Sequence, residues 1–94
     1  MHGPSAAQDS LFHFRVFTNG VQIHESDPLS FDNINGVWHE GAMSSCELIQ
    51  AMHGRVEPGL DWLLEVTDAD GNTIFRFSFK AENVRRLSFE RTPL

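Results

Sequence analysis

A chain of 94 residues with a formal net charge of −6 has room for one domain, and its acidic total disfavours generic binding to a phosphate backbone. Eight Phe and two Trp against no Tyr let few positions build a core, because each ring buries about 150–250 Å². The single cysteine, Cys46, excludes an intramolecular disulfide and a zinc site of several thiolates, and it suits a reducing, cytoplasmic compartment.

Residues 1–10 lack the basic start and apolar run of a secretory signal, and no stretch approaches the ~20 apolar residues of a membrane span. A flexible arm is expected there, then a single α+β domain over residues 11–84 and a tail over 85–94. The run Leu11–Phe17 alternates, with Phe12, Phe14 and Val16 on one side and Leu11, His13, Arg15 and Phe17 on the other, which is the period of a strand. Asn19-Gly20 supplies the two positive-φ residues of a type I′ hairpin turn. Val21–His24 then returns as a short strand with Val21 and Ile23 expected on one face.

Glu25–Ser30 reads as a connector, since Pro28 cannot donate to a ladder. Asp32 or Asn33 offers a helix cap. From Ile34 to about Met52 the apolar residues Ile34, Val37, Trp38, Met43, Leu48, Ile49 and Met52 recur at helical spacing. The small residues Gly41, Ala42 and Ser45 between them allow close approach to a sheet, although Gly36 and Gly41 each cost up to about 1 kcal/mol relative to Ala. Gly54 ends the helix, and Pro58-Gly59 marks a turn. A second hairpin follows. Trp62, Leu64 and Val66 share one face, Asp68–Gly71 turns, and Phe75, Phe77 and Phe79 share the same face of the last strand. A short helix is expected around Ala81–Leu87.

The expected fold is therefore α+β in the order ββαββ, a four-stranded antiparallel sheet with one helix packed on one face. Its core would hold Phe12, Phe14, Val16, Trp62, Leu64, Val66, Phe75, Phe77 and Phe79, with Ile34, Val37, Leu48, Ile49 and Met52 from the helix.

Motif fragments fail on particular residues. His39-Glu40 opens like a zinc-protease helix, but the second histidine position is Met43. Gly36 and Gly41 have phosphate-loop spacing, yet Ala42 and Met43 stand where Lys and Ser or Thr must follow. Asp68–Asn72 resembles a calcium loop with its glycine at the fourth position instead of the sixth, and Phe79 at the glutamate position. His39 and His53 each lie about 10 Å from Cys46 along a helix axis, too far to activate it. Only His13 and His24 would meet, across the first hairpin. No cofactor and no metal are expected.

The face opposite the helix carries Leu11, His13, Arg15, Phe17, Leu63, Glu65, Ile74, Arg76 and Ser78. It is too apolar for full exposure and too charged for a dry core. Leu11, His13, Arg15, Phe17, Leu63, Ile74 and Arg76 are thus the candidate interaction face, buried either by a symmetric dimer or by the C-terminal segment through Val84, Leu87 and Phe89.

The Phe-rich first strand, the Asn-Gly turn, the helix containing Cys46-Glu47-Leu48-Ile49, the Asp61-Trp62-Leu63-Leu64-Glu65-Val66-Thr67-Asp68-Ala69-Asp70-Gly71 stretch and the Phe75-Phe77-Phe79 strand resemble one family. It is a family of short proteins from rhizobia and related alphaproteobacteria, known only as a domain of unknown function. The resemblance covers about residues 11–84 and is most specific from Trp62 to Gly71. Gly36, Trp38, Gly41 and Met43 depart from the family's Ala-, Glu- and Arg-rich helix, and Ser78 stands where proline commonly precedes the final Phe. The resemblance implies the fold and a bacterial origin, and it supplies no catalytic residues.

A non-enzymatic protein-interaction or regulatory module, homodimeric and cytoplasmic, is the expected function. The alternative is an RNA-related or antitoxin-like regulator using Arg15 and Arg76 near Phe17, helped by Arg85 and Arg86. A third possibility is a small-molecule site built on His13, Arg15 and Arg76. Self-association or a protein partner is expected, nucleic acid is disfavoured, and no membrane is involved.

Overall fold

A computed structural model describes residues 11–85 of the chain. The alternating run forms β1 (Leu11–Thr18), in which Phe14 and Val16 are buried. Asn19 and Gly20 turn it, both at positive φ (50° and 84°), into β2 (Val21–Glu25), the backbone that a type I′ loop demands. The helix, α1, spans Ile34–Gln50. The second hairpin consists of β4 (Asp61–Asp68) and β5 (Thr73–Lys80).

The sheet is antiparallel and has five strands where the sequence suggests four. The additional one, β3 (Leu29–Ser30), falls in the expected connector and pairs Leu29 with Phe12 and Ser30 with Leu11. Ser26 explains how the chain stays on β1 past Pro28. Its N–H donates to the Phe14 carbonyl at 2.8 Å, and its Oγ accepts the Phe14 N–H at 3.1 Å. β2 and β3 thus lie end to end on one edge of β1, β4 takes the other edge, and the strand order is β2-β1-β4-β5.

Two bulges interrupt the alternation. Val16 pairs with His24 and Phe17 with Gln22, so Ile23 is an extra residue on β2 and the expected Val21–Ile23 face is broken. Val66 pairs with Phe75 and Thr67 with Thr73, which leaves Ile74 as the extra residue on β5. An inserted residue of this kind bends and twists its strand.

The core contains Phe14, Val16, Trp62, Leu64 and Val66 from the sheet, with Phe12, Phe75, Phe77 and Phe79 half-buried beside them. The helix presents the stripe Val37, Gly41 and Ser45, spaced by four and therefore on one face. Ile49 and Met52 continue it against the core. Ile34 and Leu48, expected inside, are 50% and 40% exposed. Small side chains occupy the contact line because the approach is close: a Cβ at Gly41 would stand 2.5 Å from Phe77 Cε1 and 3.0 Å from its Cζ. Asn33 caps the helix, its Oδ1 accepting the Gly36 N–H at 3.0 Å. Phe31 lies over β1, its ring edge-on to Phe12 at 5.9 Å and tilted on Phe14 at 6.1 Å. The helix covers β4 and β5, and Phe31 covers β1.

Residues Ala81–Arg85 are not helical, and Val84 is 89% exposed instead of lying across the sheet. The rest of the expected short helix, Leu87, Phe89, the arm over residues 1–10 and most of the tail lie outside the described residues. No helix among the described residues is long and apolar enough to cross a membrane.

Candidate interaction surface

Residues directly opposite in an antiparallel pair point to one face, so the register gives the contents of the open face in rows. One row reads Glu25–Arg15–Glu65–Arg76 across β2, β1, β4 and β5. Its charges alternate, and its members are paired. Arg15 Nε lies 3.5 Å from Glu25 Oε2, and Arg76 Nε donates to Glu65 Oε2 at 3.1 Å. The neighbouring row is Gln22–Phe17–Leu63–Ser78, with Phe17 and Leu63 half-buried. On the other side His13 stands opposite Thr67. His13 Nδ1 sits 3.8 Å from Glu25 Oε2, and Thr67 is almost fully buried, its Oγ1 without a hydrogen-bond partner among the described residues.

Of the expected interaction residues, Leu11, His13, Arg15, Phe17, Leu63 and Arg76 share this face. Ile74 differs: displaced by the bulge, it packs against the buried cluster. His13, Arg15 and Glu25 come together, while Arg76 is held apart on Glu65. His24 pairs with Val16 on the helix side, so His13 and His24 face opposite ways and do not meet. No three His, Cys, Asp or Glu side chains among the described residues are grouped to hold a metal ion. The Asp68 turn is closed by its own backbone: Asp68 Oδ1 accepts the Asp70 and Asn72 N–H groups, each at 2.9 Å. Those bonds, led by the one from Asn72, hold the Asp68 carboxyl below the usual aspartate range.

Apolar surface is also exposed on the helix side. Between α1 and β5 runs an open groove of about 560 Å³, lined by Trp38, Ala42, Cys46 and Ile49 from the helix, with Trp62 and Phe77 from the sheet. Trp38 is 49% exposed, and it stacks on Phe75 (5.0 Å, edge-on) and Phe77 (4.7 Å, tilted). Ser45 lies at the helix side of the groove, buried, its Oγ with no hydrogen-bond partner among the described residues. Beside the groove runs β5, an edge strand whose outer side is unpaired among the described residues. The helical spacing contained Trp38, but not its exposure, because the small stripe Val37-Gly41-Ser45, and not the bulky residues, sets the helix rotation.

A five-stranded antiparallel sheet with one helix on one face, a salt-bridged open face and an apolar groove beside a strand edge that is unpaired among the described residues defines a small α+β domain. The family model described as Domain of unknown function (DUF6894) matches residues 11–80, and the chain belongs to that family. No curated protein matches the chain. No solved structure matches it.

Proposed function

We propose that this domain is a non-enzymatic protein-interaction module and that its working surface is the groove between α1 and β5. The observation that carries the reading is Trp38. A half-exposed indole, wedged on two Phe rings above an apolar groove, is the kind of rigid aromatic anchor that dominates protein interfaces. The adjacent strand edge adds a second means of recognition. An extended segment laid on β5 would take main-chain hydrogen bonds and send alternate side chains into the groove. The lone exposed thiol of Cys46 suits a reducing, cytoplasmic setting.

The open face supports this division of labour. Its arginines rest on Glu25 and Glu65, which leaves little free positive charge for a nucleic acid. An RNA-related regulatory role is therefore the weaker reading.

Replacing Trp38 with a photo-crosslinking phenylalanine analogue in cells that express the chain tests the proposal. Irradiation is expected to give adducts of defined mass from position 38 and none from Asn72, an exposed position in the β4–β5 turn. The absence of any protein adduct at position 38 would sink it.

A further inference from the structure

We propose that Asn19-Gly20 is a self-modification site, converting spontaneously to aspartate and isoaspartate in the folded chain, and that the fold holds the second Asn-Gly pair, Asn35-Gly36, unreactive. Asn33, Asn72 and Asn83 precede Ile34, Thr73 and Val84, whose branched side chains crowd the following main-chain nitrogen. Asn19 and Asn35 precede glycine, which has no Cβ and leaves that nitrogen open to react. Both asparagines are exposed.

In the reaction the glycine nitrogen gives up its proton and attacks the asparagine Cγ. The new N–Cγ bond closes a succinimide ring, and the side-chain nitrogen takes up a proton and leaves as ammonia. Water then opens the ring. Breaking the N–Cγ bond leaves aspartate. Breaking the bond to the original main-chain carbonyl leaves isoaspartate, with the main chain routed through Cβ and Cγ.

The two pairs differ in which reacting atom is held. At Asn35 it is the nucleophile. The Gly36 N–H donates to Asn33 Oδ1 at 3.0 Å, inside the first turn of α1. At Asn19 the nucleophile is free, since the Gly20 N–H meets no acceptor among the described residues. Only the carboxamide is restrained, by the exposed bond from the Asp61 N–H to Asn19 Oδ1 at 2.9 Å. One such bond shifts an equilibrium by roughly two- to tenfold, so it slows reaction at position 19 without preventing it. The product matters because a two-residue turn sets the register of its hairpin. β2 is exposed along its whole length, and the extra main-chain carbon of isoaspartate loosens it from β1.

The full folded chain is incubated at mildly alkaline pH, and the products are located by tandem mass spectrometry. Cleavage after Arg15 and Arg55 gives one peptide that carries both pairs, so each is the standard for the other. Position 19 is expected to convert several-fold faster than position 35, and the two rates are expected to become equal in urea. Asp61→Pro, which the first residue of a strand tolerates, removes the N–H donor and is expected to speed position 19 alone by roughly two- to tenfold. Asn33→Ala is expected to do the same for position 35 alone. Equal rates in the folded chain, conversion at position 35 first, or a folded chain inert at position 19 while the urea-unfolded chain reacts there overturns the proposal. The separated isoaspartate form is expected to lose amide-exchange protection across Val21–Glu25, and full retention there overturns the loosening of β2.

Discussion

Gly41 of the helix sits directly on the ring of Phe77, so close that a Cβ there would lie 2.5 Å from Cε1. The distance between α1 and the sheet is thus set by the absence of a side chain. Glycine costs up to about 1 kcal/mol in a helix interior relative to alanine. Here that cost permits the buried contact of Val37 and Ser45 with β4 and β5.

Gly41→Ala is therefore expected to destabilise the fold by about 1–3 kcal/mol, since the ring or the helix must move and overpacking outweighs the gain in propensity. Gly36→Ala is the contrast. Its Cβ would meet Phe31 Cδ2 at 3.4 Å, an ordinary contact, and a gain of up to about 1 kcal/mol is expected. Urea unfolding of both variants checks the opposite signs.

Asn19 ties the first hairpin to the second. Its N–H donates to the Asp61 carbonyl at 2.8 Å, and its Oδ1 accepts the Asp61 N–H at 2.9 Å. Asn19→Gly keeps the positive φ and loses only the side-chain acceptor, an expected cost of about 1 kcal/mol. Asn19→Ala loses both the acceptor and the conformational ease and is expected to cost about 2 kcal/mol. The difference between the two, measured by thermal or urea unfolding, separates turn strain from the bond.

The Asp68 turn predicts an acid-sensitive loop. Its carboxyl titrates lower when folded than when unfolded, chiefly because it accepts the Asn72 N–H. Its contribution is therefore present above the unfolded aspartate range, near pH 4, and is lost as the pH falls towards the lower folded value. Asp68→Ala is expected to be less stable than the parent at neutral pH and to converge with it in acid. Parallel urea titrations at several pH values would show the gap closing; a constant gap would contradict it.

Glu65 and Arg76 form the best-made ion pair of the open face, with Glu65 the less exposed partner at 17%. A double-mutant cycle to alanine is expected to give a coupling of about 0.5–1 kcal/mol, shrinking with salt. The Arg15–Glu25 pair, longer at 3.5 Å, is expected to give less.

Much of this fold is legible in the sequence because β1, β4 and β5 alternate cleanly and Asn19-Gly20 dictates its own turn. The helix is legible as an element but not in its rotation. Hydrophobic spacing favours Ile34 and Leu48, whereas close packing on Phe77 selects Gly41 and Ser45, which carry little apolar signal. Bulges at Ile23 and Ile74 leave no trace in an alternating pattern, so face assignments drift beyond them. Ser26 and Phe31, which keep β3 on the sheet and cover β1, sit in a stretch that Pro28 makes look like a simple connector. The groove was hidden for the same reason as the helix rotation, since Trp38 reads as core until Gly41 fixes where the helix turns.

The broken edge formed by β2 and β3 bears on which side of the sheet is open to an added strand. An extra residue at Ile23 and a proline at position 28 blunt that side against strand addition. A sheet with two regular edges can take added strands on both sides, whereas one with a single regular edge can take them on one side alone. The irregularity at Ile23 and Pro28 thus guards one edge of the sheet against an added strand, while β5 keeps a regular edge among the described residues.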